Sequence, residues 1–135
     1  MFGVDHYAIS VKDVYRSVEF YKNLEFAVVK KWDAADSSLS IVHMKNGDFI
    51  LELFCYKAYK EMPDTALSLN EDLPVIGSKH MGLYADDLEN VQKILLKKGV
   101  IETPIEIKSG RLGRKYFFIS DPNGILIEII EKKGR

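Results

Sequence analysis

The chain has 135 residues, of which 47% are hydrophobic and 29% charged, and its net charge is −1. That length supports about one domain with a sizeable core, and that balance excludes a disordered chain. The near-neutral charge excludes broad attraction to nucleic acid or an anionic membrane, and the single cysteine, Cys55, excludes an internal disulfide framework.

Taken in order, Val4 to Val11 (VDHYAISV) is rich in strand-forming residues. The chain enters this pattern with no basic or apolar leader before it, and no apolar run approaches the roughly 18 residues of a membrane span. A mature cytoplasmic protein is expected. Asp13 is placed to cap a helix through about Leu24, whose apolar stripe is Val14, Val18, Tyr21 and Phe20. Three strands follow, at Ala27 to Trp32, Leu39 to Lys45 and Asp48 to Tyr56. Asn46-Gly47 makes the hairpin turn between the last two. The predicted order is β-α-β-β-β.

The second half repeats it. Lys79 to Ala85 is a strand, and Asp87 caps a helix that runs to Lys98 and stops at Gly99. Val100 to Ile107, Arg114 to Ser120 and Ile125 to Glu131 are the further strands. Asp121-Pro122-Asn123-Gly124 turns the chain between the last two. An offset of 74 carries His6 to His80 and Asp13 to Asp87, and an offset of 76 carries Glu52 to Glu128. Caps, turns and versatile side chains agreeing together point to a duplicated unit. The expected organisation is one domain over 1–135, with module one about 3–56, a linker about 57–78 and module two about 79–133. A linker of that length, carrying Pro63, Pro74 and Gly77, is expected to hold a short helical turn or to help wall a site.

Each module supplies one histidine and one glutamate from strand segments. Period-2 alternation puts His6 with Val4, Ala8 and Ser10, and His80 with Ser78, Gly82 and Tyr84. Glu52 shares a face with Ile50, Phe54 and Tyr56, and Glu128 with Leu126 and Ile130. Both glutamates interrupt apolar runs, and a buried carboxylate needs a cation, a proton or an arginine. Two imidazoles and two carboxylates suit one divalent ion of the Zn, Ni, Co, Mn or Fe(II) class. A solvent-facing strand, or an ion pair with Arg114 or Lys115, explains one glutamate alone but not the repeat of the whole pair. His43 has Ile119 as its expected repeat equivalent and is read as structural. Cys55 lies on the face opposite Glu52 and is read as an inert packed residue. Phe54, Tyr56, Tyr84, Tyr116 and Phe118 are candidates to wall a cleft. Arg111, Arg114 and Lys115, in and beside the expected mobile loop Gly110-Arg111-Leu112-Gly113, are candidates to hold an anionic tail.

The segments DHYAISVKDVYRSVEFYKNLEF, FILELF, KHMGLYADDLENVQKILLKKG and YFFISDPNGILIEIIE resemble the vicinal oxygen chelate superfamily of glyoxalases, bleomycin-resistance proteins and dioxygenases. The resemblance implies an α+β fold of two βαβββ modules whose curved mixed sheets enclose a metal-binding cleft, and a homodimer. The set His6, Glu52, His80 and Glu128 looks most like glyoxalase I. The epimerase pattern has glutamine at the place of Glu52. Extradiol dioxygenases and fosfomycin-resistance enzymes use two histidines and one glutamate, which His6, His80 and Glu128 would form. Ser10 and Tyr56 stand where the bacterial glyoxalase I pattern has an arginine and an asparagine for glutathione.

By this resemblance the expected activity is that of a divalent-metal-dependent lyase or isomerase. A small substrate with vicinal oxygens would chelate the ion, Zn or Ni first, with Co, Mn and Fe within range. Glu128 would carry a proton through an enediolate, with Glu52 as its partner. A non-haem Fe(II) extradiol-type dioxygenase and a small-molecule-binding or antibiotic-resistance protein are the alternatives. Neither nucleic acid nor a membrane is an expected partner.

Overall fold

Local signals in the sequence build the same unit twice. In the computed structural model, which describes residues 1–132, the chain forms two compact units, Met1–Glu61 and a second that begins at Met62. The expected end of module two, at about residue 133, lies outside the described residues.

The first unit runs β1 (His6–Ser10), α1 (Val14–Lys22), β2 (Ala27–Asp33), β3 (Leu39–Asn46) and β4 (Phe49–Tyr56). Asp13 starts the helix as its composition predicts, its Oδ1 accepting the backbone N–H groups of Tyr15 at 3.0 Å and Arg16 at 3.1 Å. The helix ends at Lys22, two residues short of Leu24. Glu25 takes a left-handed backbone, φ 67°, and Phe26 donates its N–H back to the Tyr21 carbonyl at 3.0 Å. That reversal ends the helix early and buries both Leu24 and Phe26. Gly47, at φ 57°, makes the tight turn between β3 and β4.

The four strands form one mixed sheet in the order β1-β4-β3-β2, with β1 parallel to β4 and the other pairs antiparallel. Val42, Met44, Leu51 and Leu53 fill its buried face, with Val18, Tyr21 and the wholly buried Ser17 of α1. Each such apolar side chain contributes roughly 1.5–3 kcal/mol by leaving water. On β1, β3 and β4 the other face is less buried and carries His6, Ala8, Ser10, Ile41, His43, Ile50, Glu52, Phe54 and Tyr56. Alternation therefore separates packing from chemistry strand by strand.

The second unit opens with a single 3-10 turn, Asp64–Leu67, and a short helix, α2 (Leu69–Asp72), so the linker holds the expected helical turns. Then come β5 (Met81–Ala85), α3 (Leu88–Lys97), β6 (Lys108–Ser109), β7 (Lys115–Ser120) and β8 (Leu126–Glu131). Their sheet repeats the first, in the order β5-β8-β7-β6 with β5 parallel to β8. Asp87 caps α3 by accepting the Asn90 N–H at 3.0 Å, and Gly99 follows the helix at φ 70°. Phe117, Ile119, Ile127 and Ile129 form the buried face. The α+β class and the two mixed βαβββ sheets are as expected from the sequence.

One predicted strand does not form. Val100 to Ile107 has irregular backbone, and only Lys108–Ser109 pairs with β7. Pro104 has no N–H to give a ladder. The buried side chain of Gln92 takes the place of a neighbouring strand: its amide donates to the Ile105 carbonyl at 2.6 Å and accepts the Ile105 N–H at 3.0 Å. Among the described residues, no helix is long and apolar enough to cross a membrane.

Candidate metal centre

Strand register fixes where the four candidate ligands stand. His6 is the first residue of β1, and Ala8 lies directly across from Glu52 in the middle of β4. In the second unit Gly82 lies across from Glu128 on β8, and His80 immediately precedes β5. Both facing residues, Ala8 and Gly82, are small, and a Cβ added at Gly82 would lie 3.7 Å from Glu128 Oε2.

Within the first unit His6 Nε2 lies 3.5 Å from Glu52 Oε1. Within the second, His80 Nε2 lies 3.4 Å from Glu128 Oε2. The structure thus brings together each histidine with the glutamate of its own module. All four side chains are partly exposed, at 40% and 15% for His6 and Glu52 and 20% and 22% for His80 and Glu128, so they are reachable from solvent. Among the described residues no group of three or more histidine, cysteine, aspartate or glutamate side chains is gathered so as to hold a metal. Each histidine–glutamate pair offers two donors from its own unit.

The donor chemistry fits an ion. Two ligands bound at about 2.1 Å to one tetrahedral or octahedral ion stand roughly 3.0–3.4 Å from each other. The two nitrogen-to-oxygen spacings, 3.5 and 3.4 Å, are close to that range. His6 Nδ1 lies 2.7 Å from Asp5 Oδ2, and an ionised carboxylate only accepts, so the ring donates there. In the neutral ring this leaves the Nε2 lone pair turned toward Glu52. Two acceptors then face each other, an arrangement that a cation satisfies. In the metal-free chain the Asp5 hydrogen bond, aided by the charge of Glu52, raises the His6 pKa above its ordinary value, against a smaller opposing effect of burial.

Two residues that matter here were not predicted. Asp5 is one; it announces itself only as the acidic neighbour of a candidate ligand. His43 is the other. It lies directly across from Glu52, and its Nε2–H donates to Glu52 Oε2 at 2.5 Å. Its ring also stacks near that of His6, 6.3 Å between centroids and 24° between planes. The expected repeat equivalent of His43, Ile119, is corrected to Phe118, because Phe118 is the residue across from Glu128. Ile119 points to the buried face instead. The hairpin turn could have revealed His43: Asn46 pairs with Phe49, and three pairs further along the ladder is His43 with Glu52.

The remaining candidates divide. Arg114 donates from Nη1 to the Glu131 carbonyl at 3.2 Å, and the Lys115 backbone N–H donates to Glu131 Oε1 at 3.0 Å. Both are engaged with Glu131, while Arg111 is exposed on the turn that Gly113 closes on the Gly110 carbonyl at 3.0 Å. Phe118 meets His80 edge-on at 4.8 Å and Tyr116 at 5.7 Å, so these rings flank the second pair. Phe54, Tyr56 and Tyr84 share the sheet faces of the glutamates, and Tyr56 and Tyr84 are exposed. Cys55 is half-buried, its Sγ 3.6 Å from the Lys12 carbonyl.

The sequence pattern of the Glyoxalase/Bleomycin resistance protein/Dioxygenase superfamily matches residues 3–129. The chain belongs to that superfamily. No curated protein matches the chain. Solved structures of the superfamily share its architecture. A glyoxalase family protein from Enterococcus faecalis superposes with a TM-score of 0.77 at 23% identity, covering 96% of this chain and 97% of that one. The trypanothione-dependent glyoxalase I of Leishmania major gives 0.71 at 22%, covering 98% and 88%. A bleomycin-binding protein in complex with bleomycin gives 0.63 at 19%, covering 98% and 100%. At these identities the likeness is one of fold, and the superfamily spans both enzymes and binding proteins.

Proposed function

We propose that the protein is a divalent-metal-dependent lyase or isomerase of the glyoxalase kind, acting on a small substrate with vicinal oxygens. Its ligands are His6 and Glu52 from module one and His80 and Glu128 from module two. The repeated histidine–glutamate pair, 3.5 Å apart in one unit and 3.4 Å in the other, carries this conclusion. Zn or Ni suits the donor set first, and Co, Mn and Fe remain in range. A bound ion of this class supplies Lewis acidity to a carbonyl oxygen and so acidifies the adjacent C–H.

The chain's own residues do the rest. Glu128 takes the proton from the carbon beside the carbonyl and returns it to the neighbouring carbon. Among the described residues its carboxylate meets His80 and accepts no hydrogen bond, which favours movement. Glu52 is the second carboxylate of the pair. Ser10 and Tyr56 offer neither the arginine nor the asparagine of a glutathione site, and Phe54, Tyr56, Tyr84 and Tyr116 give the same faces an aromatic character. These differences favour a small substrate such as an α-hydroxycarbonyl compound over a glutathione conjugate. The protein is further taken to work as a homodimer in the cytoplasm, without nucleic acid or membrane as partners.

A second reading needs only three of these residues: His6, His80 and Glu128, without Glu52, form the ligand set of an Fe(II) oxygenase. Consumption of oxygen with a catechol, and activity with Fe(II) alone, would decide for it.

Metal analysis of protein purified without a chelating tag tests the main proposal. One divalent ion per chain is expected, lost when both His6 and His80 become alanine. A wild-type protein unable to take up Zn, Ni or Co, or a double variant that binds as well as wild type, overturns it.

A further inference from the structure

The two modules differ in what surrounds their ligands. In module one, Asp5 accepts from His6 at 2.7 Å and His43 donates to Glu52 at 2.5 Å, so each of the two side chains has a hydrogen-bonding support. In module two, the residue before His80 is Lys79, which turns away to the Asp72 carbonyl at 2.7 Å and carboxylate at 3.2 Å. The residue across from Glu128 is Phe118, whose ring has no hydrogen to donate to a carboxylate oxygen. Equivalent strands of the two units carry the same histidine–glutamate pair with different supports.

We infer that His43 is a positioning residue: it holds Glu52 by Oε2, commits Oε1 to metal binding beside His6, and so fixes module one as the anchoring half. This rests on the metal-dependent function proposed above. The two oxygens of Glu52 are already divided in this way, Oε2 to His43 and Oε1 toward His6 Nε2. A carboxylate held through one oxygen loses the freedom to swing off an ion, and outer partners of this sort typically tune metal affinity 10–100-fold. Glu128 has no such partner, so the proton-transfer role falls to it and not to Glu52. Equivalent positions in the repeat thereby acquire different jobs.

Co(II) is the probe. Its affinity is measured by chelator competition, and its visible absorption reports coordination, for wild type, His43→Phe and His43→Gln. His43→Phe copies module two; His43→Gln keeps an N–H donor at similar reach. The phenylalanine variant should bind Co(II) at least tenfold more weakly with an altered spectrum, while the glutamine variant stays within about threefold of wild type. Thermal midpoints of the metal-free proteins should agree within a few degrees, separating positioning from folding. His43→Leu takes the place of the phenylalanine variant if that fails to fold. Wild-type affinity and spectrum in the donor-less variant, or equal loss in both variants, overturns the assignment while leaving the metal site intact. Failure of the wild-type chain to bind Co(II) overturns the assignment together with the proposed function.

Discussion

His43 and Phe118 stand at the same point of two equivalent ladders, each directly across a strand pair from a glutamate. One donates a hydrogen bond to its glutamate; the other presents a ring to the neighbouring histidine. Two units of the same strand order thus hold two unlike carboxylates.

Glu128→Gln should retain much of the metal binding and lose most of the proton transfer. Deuterium uptake from D2O at the carbon beside the carbonyl of a bound α-hydroxyketone, followed by NMR, should fall by about 10²–10⁴. Undiminished uptake would take the base assignment away from Glu128.

Asp5→Asn should lower the pKa of His6 in the metal-free protein, because the Asp5 hydrogen bond is the largest cause of its elevation. An imidazole NMR titration reads this directly. The linkage has a definite sign: a raised histidine pKa adds stability below the unfolded value, and that increment is lost as pH rises through the folded value. The variant should therefore lose a little stability on the acid side only, a small effect for so exposed a pair.

Gln92→Leu removes both partners of Ile105 at once. Two backbone groups then lose their hydrogen bonds, and unfolding in urea should show a loss of about 2 kcal/mol. An unchanged midpoint would mean that water or a shifted backbone replaces the amide.

Gly124→Ala should destabilise the second unit by about 1–2 kcal/mol. Its backbone sits at φ 87°, and an added Cβ would meet Leu67 Cδ2 at 2.7 Å. Asp121 already holds this turn through the N–H groups of Asn123 at 2.8 Å and Ile125 at 2.9 Å, so the loop has little freedom to relax. Thermal unfolding checks it.

Much of the fold was legible because its signals are local. Asp13 and Asp87 cap helices where a short acidic side chain precedes an apolar stripe, and Asn46-Gly47 turns where glycine permits a positive φ. The alternation around Glu52 and Glu128 likewise separated their faces from the buried ones. What escaped was non-local. Val100 to Ile107 has the composition of a strand, but its partner is one glutamine side chain from α3, and no periodicity signals that. His43 escaped for a related reason: its meaning lies in the residue it faces, and a one-residue error in register exchanged Phe118 for Ile119. The pairing of each histidine with its glutamate across parallel strands also depends on a crossover that no short motif records.

The bulge at Val29 has a consequence of another kind. β2 forms an outer edge of the first sheet, and there the ladder skips a residue between Val28 and Lys30 while Lys30 and Lys31 stand exposed. A kinked, cationic edge is a poor template for a second strand, whereas a flat apolar one invites aggregation. The matching edge of the second sheet is only the two residues of β6, too short to recruit a neighbour. Each sheet thus blunts this one of its two edges, one by distortion and charge, the other by truncation.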